Sequence, residues 1–312
     1  MNKKNTTPED GPHISRRNLL IGSLIGAGAL TGALGLYQLT ETLQQPQKPE
    51  FETTPSWQQD FLHMNASTLD SKVWRYDQNP DVPGYNQEYQ GYTTSEKNVR
   101  IEPGVGLVLE AHKESYTYPN DTEKRVFDYT SGKIDTLDSF NFEYGKVEAT
   151  IKMSAGAGAW PAFWLLSANE VHTSGDNVSK AVQDSPRYYM KDGEIDIMEF
   201  YGQRPNQFEA TVHTFNKSYE KTISVPDISE GFHTYGVELS PNRITWTLDG
   251  KPCYTFDKPS DNPDTWPFGD GNKMYVILNL AMGGSGGGPV DTSYDSWRMD
   301  VQNVSYYKMK KT

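Results

Sequence analysis

The residues best equipped for chemistry lie in one short stretch, Gly193-Glu194-Ile195-Asp196-Ile197-Met198-Glu199-Phe200, where three carboxylates are interleaved with large apolar side chains. Ile, Met and Phe between the acids favour an extended strand, and a regular strand sends successive side chains to opposite faces. Glu194 and Asp196 then share a face, whereas Glu199 would point away. One extra residue inserted as a β-bulge restores the parity, and the sequence predicts that bulge near Ile197-Met198. Three acids then line one face, with the apolar residues packed beneath. At about 3.3 Å per residue the outer two backbones stand roughly 13 Å apart, and two inward-leaning Glu side chains of about 4 Å each leave a gap of roughly 5 Å. Carboxyls about 5–5.5 Å apart suit a retaining glycosidase, in which one attacks the sugar carbon while the other protonates the leaving oxygen.

That chemistry needs one ionised and one protonated carboxyl near neutral pH, so their surroundings have to differ. Asp196, between them, would raise the pKa of one flanking Glu and orient the other, because three close carboxylates do not all ionise cheaply. Glu194 is expected as the nucleophile, Glu199 as the acid/base and Asp196 as their helper. For an isolated strand of alternating acids, metal binding or simple solvation on a sheet face would be the blander reading. The remainder of the chain weighs against it.

Such acids need a rigid frame, and the 312 residues suffice for one large β-domain or two small ones; a formal charge of −12 argues against nucleic acid as a partner. Lys3, Lys4, Arg16 and Arg17 precede an uncharged run from Asn18 to Gln38 rich in Leu, Gly and Ala, the pattern of an export leader. Ser15-Arg16-Arg17-Asn18-Leu19-Leu20 resembles the twin-arginine type, whose cargo crosses the membrane already folded. The run is also long enough to stay as a membrane tether, so the protein is expected outside the cytoplasm, extracellular or periplasmic, either free or anchored. With Cys253 as the single cysteine there is neither an intrachain disulfide nor a lipidated cysteine beside the leader. Residues 1–36 are read as leader or anchor, 37–55 as a linker with too little apolar content to fold, and 56–312 as one domain, expected to work as a monomer.

Within that domain short runs alternate, as in Gly106-Leu107-Val108-Leu109-Glu110-Ala111, Lys146-Val147-Glu148-Ala149-Thr150-Ile151-Lys152 and Arg243-Ile244-Thr245-Trp246-Thr247-Leu248, the last followed by an Asp249-Gly250 turn. There is no long segment of helical period, so an all-β domain of two packed sheets is expected. Sugars expose apolar C–H faces ringed by hydroxyls, and a polysaccharide cleft therefore combines aromatic platforms with neutral polar groups. Trp74, Tyr76, Tyr92, Trp160, Trp164, Tyr201 and Trp266 are candidates; taken singly, each Trp is better explained by the core, and it is as a set in an acidic β-protein that they point to sugar binding. His213 is expected on the strand beside the acids. Gly283-Gly284-Ser285-Gly286-Gly287-Gly288 follows an apolar strand but opens no helix pattern, which excludes a phosphate-binding loop.

Glu194-Ile195-Asp196-Ile197-Met198-Glu199 resembles the bulged E-x-D-x-x-E signature of glycoside hydrolase family 16. The resemblance extends through Tyr129-Thr130-Ser131-Gly132-Lys133, Tyr144-Gly145-Lys146-Val147-Glu148-Ala149 and Trp160-Pro161-Ala162-Phe163-Trp164-Leu165. It continues in Ala210-Thr211-Val212-His213, Phe232-His233-Thr234-Tyr235-Gly236-Val237-Glu238, Trp246-Thr247-Leu248-Asp249-Gly250, Trp266-Pro267-Phe268 and Leu278-Asn279-Leu280-Ala281-Met282-Gly283-Gly284. It implies a concanavalin A-like β-sandwich jelly roll with a concave substrate cleft, and endo-hydrolysis of a β-linked glycan with retention. It also implies that Trp160, Trp164 and His213 line the subsites at the cleavage point; with Trp74, Asn86, Lys133 and Asn279 they form the expected substrate-binding set.

The laminarinase-like branch, acting on β-1,3- or mixed β-1,3/1,4-glucans, is the nearest in pattern, and the absence of a basic cluster beside the acids weighs against sulfated galactans such as carrageenan. Two positions depart from the pattern. Lys133 stands where laminarinase-like members carry Arg, replacing a planar two-pronged donor by a point charge. Gln302 stands where many relatives carry an Asp that helps bind a structural calcium, and a neutral amide is a weaker ligand, so no cofactor is expected. Residues 167–192 form a polar, tyrosine-containing loop expected on the cleft rim. A non-catalytic glycan-binding protein on the same scaffold would need a lost acid, and none is lost. A transglycosylase remodelling exopolysaccharide shares the covalent intermediate and differs only in the acceptor.

Overall fold

The computed structural model describes residues 48–78, 86–169 and 190–311. The leader expected over 1–36, the linker up to 47 and all but the ends of the 167–192 rim loop lie outside the described residues.

Alternation dictates the architecture. In Gly145–Met153 the side chains of Val147, Ala149, Ile151 and Met153 are buried, while Lys146, Glu148, Thr150 and Lys152 turn outward. In Ala159–Ser167 Phe163 and Leu165 enter the same core, and Trp160, Trp164 and Leu166 face the other way. Two sheets result, each apolar on its inner face. The first holds β1 (Trp57–Asp60), β3 (Gln90–Tyr92), β4 (Val99–Glu102), β5 (Gly106–His112), β6 (Tyr129–Ser131), β9 (Gly145–Met153), β14 (His233–Ser240), β15 (Arg243–Leu248), β16 (Lys251–Asp257) and β18 (Ser296–Lys308). Its main path runs β16-β15-β14-β9-β18-β5-β6-β3, with β1 on β18 and β4 on β5.

The second sheet holds β2 (Arg75–Tyr76), β7 (Lys133–Asp135), β8 (Asn141–Phe142), β10 (Ala159–Ser167), β11 (Glu194–Glu199), β12 (Gln207–His213), β13 (Ser218–Ser224) and β17 (Met274–Met282). Its order is β13-β12-β11-β10-β17-β7-β2, which places the acid-bearing β11 between β10 and β12. One helical turn, α1 (Gly284–Gly287), follows β17. The described chain is the expected β-sandwich jelly roll. The Asp249-Gly250 turn joins β15 to β16 with φ of 50° and 73°, the left-handed pair that a two-residue hairpin needs.

Three expectations change. Residues 48–55, read as linker, join the folded unit: Phe51 bridges Met309, and Glu52 N–H donates to the Lys308 carbonyl at 2.9 Å. Trp74, expected on the cleft, is fully enclosed, its ring 5.7 Å from Phe61 and 6.3 Å from Trp57. Its apolar area is worth more in that aromatic cluster than on a surface. Trp266 is likewise core, stacked with Phe256.

Candidate active site

The strand β11 carries the expected bulge. Against β12, Asp196 pairs with Thr211 and Glu199 with Glu209, so Ile197 and Met198 together oppose Ala210 alone. Against β10 the same slip falls between Phe163 and Trp164. Ile195, Ile197 and Met198 are all buried, and Glu194, Asp196 and Glu199 therefore share the open face, opposite Leu166, Trp164 and Ala162 of β10. A bulge leaves ladder groups without strand partners. Here the Asp196 carbonyl accepts the indole N–H of Trp246 at 2.8 Å, which reaches across the core from β15.

Neighbouring strands supply the polar surroundings. Trp160 donates its N–H to Glu199 Oε1 at 3.0 Å. His213 Nε2 stands 3.0 Å from Asp196 Oδ2 and 3.7 Å from Glu194 Oε1, and its Nδ1 meets Ser218 Oγ of β13 at 2.6 Å. The Asp196 Oδ2 atom is buried without an aligned hydrogen bond, although His213 Nε2 stands 3.0 Å away.

On the side of β17 and β7, Trp164 donates to Asn279 Oδ1 at 2.7 Å and Asn279 donates to the Tyr92 hydroxyl at 3.0 Å. Lys133, paired with Asn279 in register, lies 3.0 Å from Asp77 and over the rings of Trp164 and Tyr92, at 5.5 and 5.9 Å. Asn86 donates to Glu88 at 3.1 Å, and its carbonyl accepts Ser285 N–H at 2.7 Å. Thus Lys133, Trp160, Trp164, His213 and Asn279 gather around the acids, Asn86 sits by the glycine turn that follows β17, and Trp74 does not take part. Ser218, Asp77 and Trp246 complete the arrangement; Ser218 and Asp77 carry no motif that would mark them from sequence, and the Trp246 motif does not reveal its contact with the Asp196 carbonyl. Their roles follow from strand register and from a contact between sheets.

Burial governs the acid electrostatics. It pushes the Glu194 carboxyl up to about 8, with adjacent Asp196 adding to the rise and His213 and Lys133 opposing it. Burial also raises Asp196 and Glu199; the Asp196 charge adds to the rise at Glu199, and the Trp160 N–H counters it. Ionising one acid thus discourages the next, and the set holds protons at neutral pH. The site can both keep a carboxylic acid ready to donate and expose a carboxylate once a neighbour stays protonated.

Among the described residues, Glu194, Asp196 and His213 are the one group of three such side chains close enough to share an ion. Around Gln302 the donors suit calcium poorly: its carbonyl accepts Leu62 N–H at 3.1 Å, and the Asp60 carboxylate across β1 is engaged by His63 at 2.9 Å.

The sequence model of glycosyl hydrolases family 16 matches residues 86–302. A β-glucanase of Rhodothermus marinus is 32% identical over 81% of this chain and 84% of its own length. Glucan endo-1,3-β-glucosidase A1 of Niallia circulans is 31% identical over 81% of this chain, which spans only 37% of that longer protein. The solved structure of the endo-β-1,3-glucanase of Pyrococcus furiosus superposes with a TM-score of 0.70 at 31% identity, covering 85% of this chain and 97% of that one. Together with the family match, the two-sheet jelly roll and the three acids on a bulged strand mark a glycoside hydrolase. The chain belongs to glycosyl hydrolases family 16.

Proposed function

We propose that this protein is a retaining endo-β-glucanase that hydrolyses β-1,3- or mixed β-1,3/1,4-linked glucan. The observation that carries the reading is the bulge that turns Glu194, Asp196 and Glu199 to one open face, with an indole donor on Glu199. Glu194, as carboxylate, attacks the anomeric carbon while Glu199 gives its proton to the leaving glycosidic oxygen; the C–O bond breaks and a glycosyl ester forms on Glu194. Water then enters, Glu199 takes its proton, and the ester C–O bond is replaced by the new C–OH bond with the β configuration restored. Asp196 stands next to both and, by making a second ionisation costly, helps keep one Glu protonated while the other is charged.

Support for a neutral glucan comes from the cations. Lys133 lies against Asp77 and Arg204 against Glu209, so neither offers an uncompensated charge to a sulfate. Relatives named as a glucan endo-1,3-β-glucosidase and an endo-1,3-1,4-β-glycanase support the same choice. The twin-arginine-like leader supports export in the folded state.

The test is product analysis on laminarin, mixed-linkage β-glucan, agarose and carrageenan, for the wild type and Glu194→Gln. Short gluco-oligomers of β configuration from the first two, and a loss of at least about 10³-fold in the variant, are expected. Release from a galactan alone would overturn the substrate, and inverted products would overturn the roles of the acids. Products longer than the starting oligomer would reveal sugar, rather than water, as the acceptor.

A further inference from the structure

The run Gly283-Gly284-Ser285-Gly286-Gly287-Gly288 has no part in the chemistry above. It is folded into the turn α1, with Gly287 N–H donating to the Gly283 carbonyl at 2.8 Å and Gly288 N–H to that of Gly284 at 3.0 Å. Gly283 and Gly284 have φ of 68° and 67°, which explains a glycine at each. Gly286 needs another explanation, because its backbone is not in the left-handed region.

What excludes a side chain at 286 is Trp160. A Cβ there would lie 2.6 Å from Cδ2 and 2.7 Å from Cε2 and Cε3 of the indole. The Gly286 backbone therefore lies flat against the ring. Gln203 fastens the turn from the other side, donating its Nε2–H to the Gly286 carbonyl at 2.9 Å. The Tyr201 ring lies 5.7 Å from that of Trp160 at 35°. The edge of the confined indole carries the N–H that meets Glu199 Oε1 at 3.0 Å.

We propose that Gly286, fastened by Gln203, is a positioning residue for the acid/base: it seats the Trp160 indole, and the seated indole aims the Glu199 carboxyl at the leaving oxygen. The inference rests on the assignment of Glu199 as the acid. Carbon atoms pack at about 3.5–4.0 Å, so a methyl at 286 drives the indole away by on the order of 1 Å. Proton transfer requires about 2.6–3.2 Å between heavy atoms, and a misplacement of about 1 Å can cost on the order of 100-fold. The loss falls on the step in which the leaving oxygen needs a proton. A leaving group stable as an anion, such as dinitrophenolate, needs none.

The test compares wild type, Gly286→Ala, Trp160→Ala, the double variant and Glu199→Ala on a β-glucan and on the dinitrophenyl glycoside of a gluco-oligomer, scoring glycosyl-enzyme formation. For Gly286→Ala a loss of about 10- to 100-fold on the glucan is expected, with less than about threefold on the aryl glycoside. Adding Gly286→Ala to Trp160→Ala, which removes both the N–H and the ring that the methyl would meet, should cost little more than Trp160→Ala alone. Equal loss on both substrates, or full additivity in the double variant, would mean a merely structural role and would overturn the proposal. So would wild-type rates on the glucan. The acid assignment is judged separately: Glu199→Ala losing as much on the aryl glycoside as on the glucan would sink that reading instead. Should Gly286→Ala fail to fold, Gln203→Ala decides. It frees the turn without adding an atom at the indole, and should show the same preference for the aryl glycoside, about two- to fivefold; equal effects on both substrates would overturn the inference.

Discussion

On β11 Trp160 holds Glu199, while Asp196 and Glu194 share His213 as a neighbour. Glu194 is pushed up to about 8 by burial and by Asp196, against about 4.3 for a Glu in an unfolded chain. Its folded pKa is raised, so the folded state keeps a proton that the unfolded state has lost. The wild type is thereby penalised progressively from about pH 4 to pH 8, and the penalty is constant above that window. Glu194→Gln should therefore match the wild-type Tm near pH 4 and exceed it near pH 8.5. Thermal melts at the two pH values check this, and a pH-independent difference would contradict a raised Glu194. The acids themselves were legible because parity along a strand and the need for paired carboxyls point to the same three residues. Trp74 was not, since an indole beside polar neighbours has the same sequence whether it faces the cleft or Phe61. Ser218 was illegible for another reason: its contact with His213 exists only through the pairing of β12 with β13.

At the scale of elements, the bulge is the device on which the site depends, and it is supported from the opposite sheet. The strand β15 sends Trp246 through the core to the Asp196 carbonyl. Trp246→Phe keeps an aromatic ring but leaves that buried carbonyl without its donor, which costs about 1–3 kcal/mol. The expected outcome is a lower denaturation midpoint, together with a fall in kcat larger than the change in KM, measured by chemical denaturation and steady-state kinetics. Stability loss with unchanged kcat would show that the bulge holds its shape unaided. The bulge itself could be read from the misplaced parity of Glu199. Its support could not, because nothing in a linear sequence says which indole of one sheet meets which carbonyl of the other. The glycine turn α1 is a similar case, since Gly286 and Trp160 are brought together only by the antiparallel pairing of β10 with β17.

For the whole molecule, the folded unit begins at Lys48 rather than at the expected residue 56. A variant lacking residues 1–47 should fold and cleave glucan like the full chain, with a Tm unmoved by EDTA given the poor calcium donors at Gln302; a large drop in Tm on chelation would overturn that expectation. Residues 1–47 fused to a folded reporter should carry it out of the cytoplasm, and Arg16→Lys with Arg17→Lys should retain it inside, as fractionation would report. The two ends of the described chain meet: Phe51 bridges Met309, Lys310 N–H donates to the Glu50 carbonyl at 2.8 Å, and the Lys310 ammonium lies 3.1 Å from the Glu50 carboxylate. Entry and exit therefore form a two-stranded stem. A unit with such a stem can be spliced into a surface loop of an unrelated host, which needs only a gap the width of a hairpin. The same adjacency makes the fold a natural candidate for circular permutation, with new termini opened at a distant turn and the old ones joined by a short peptide.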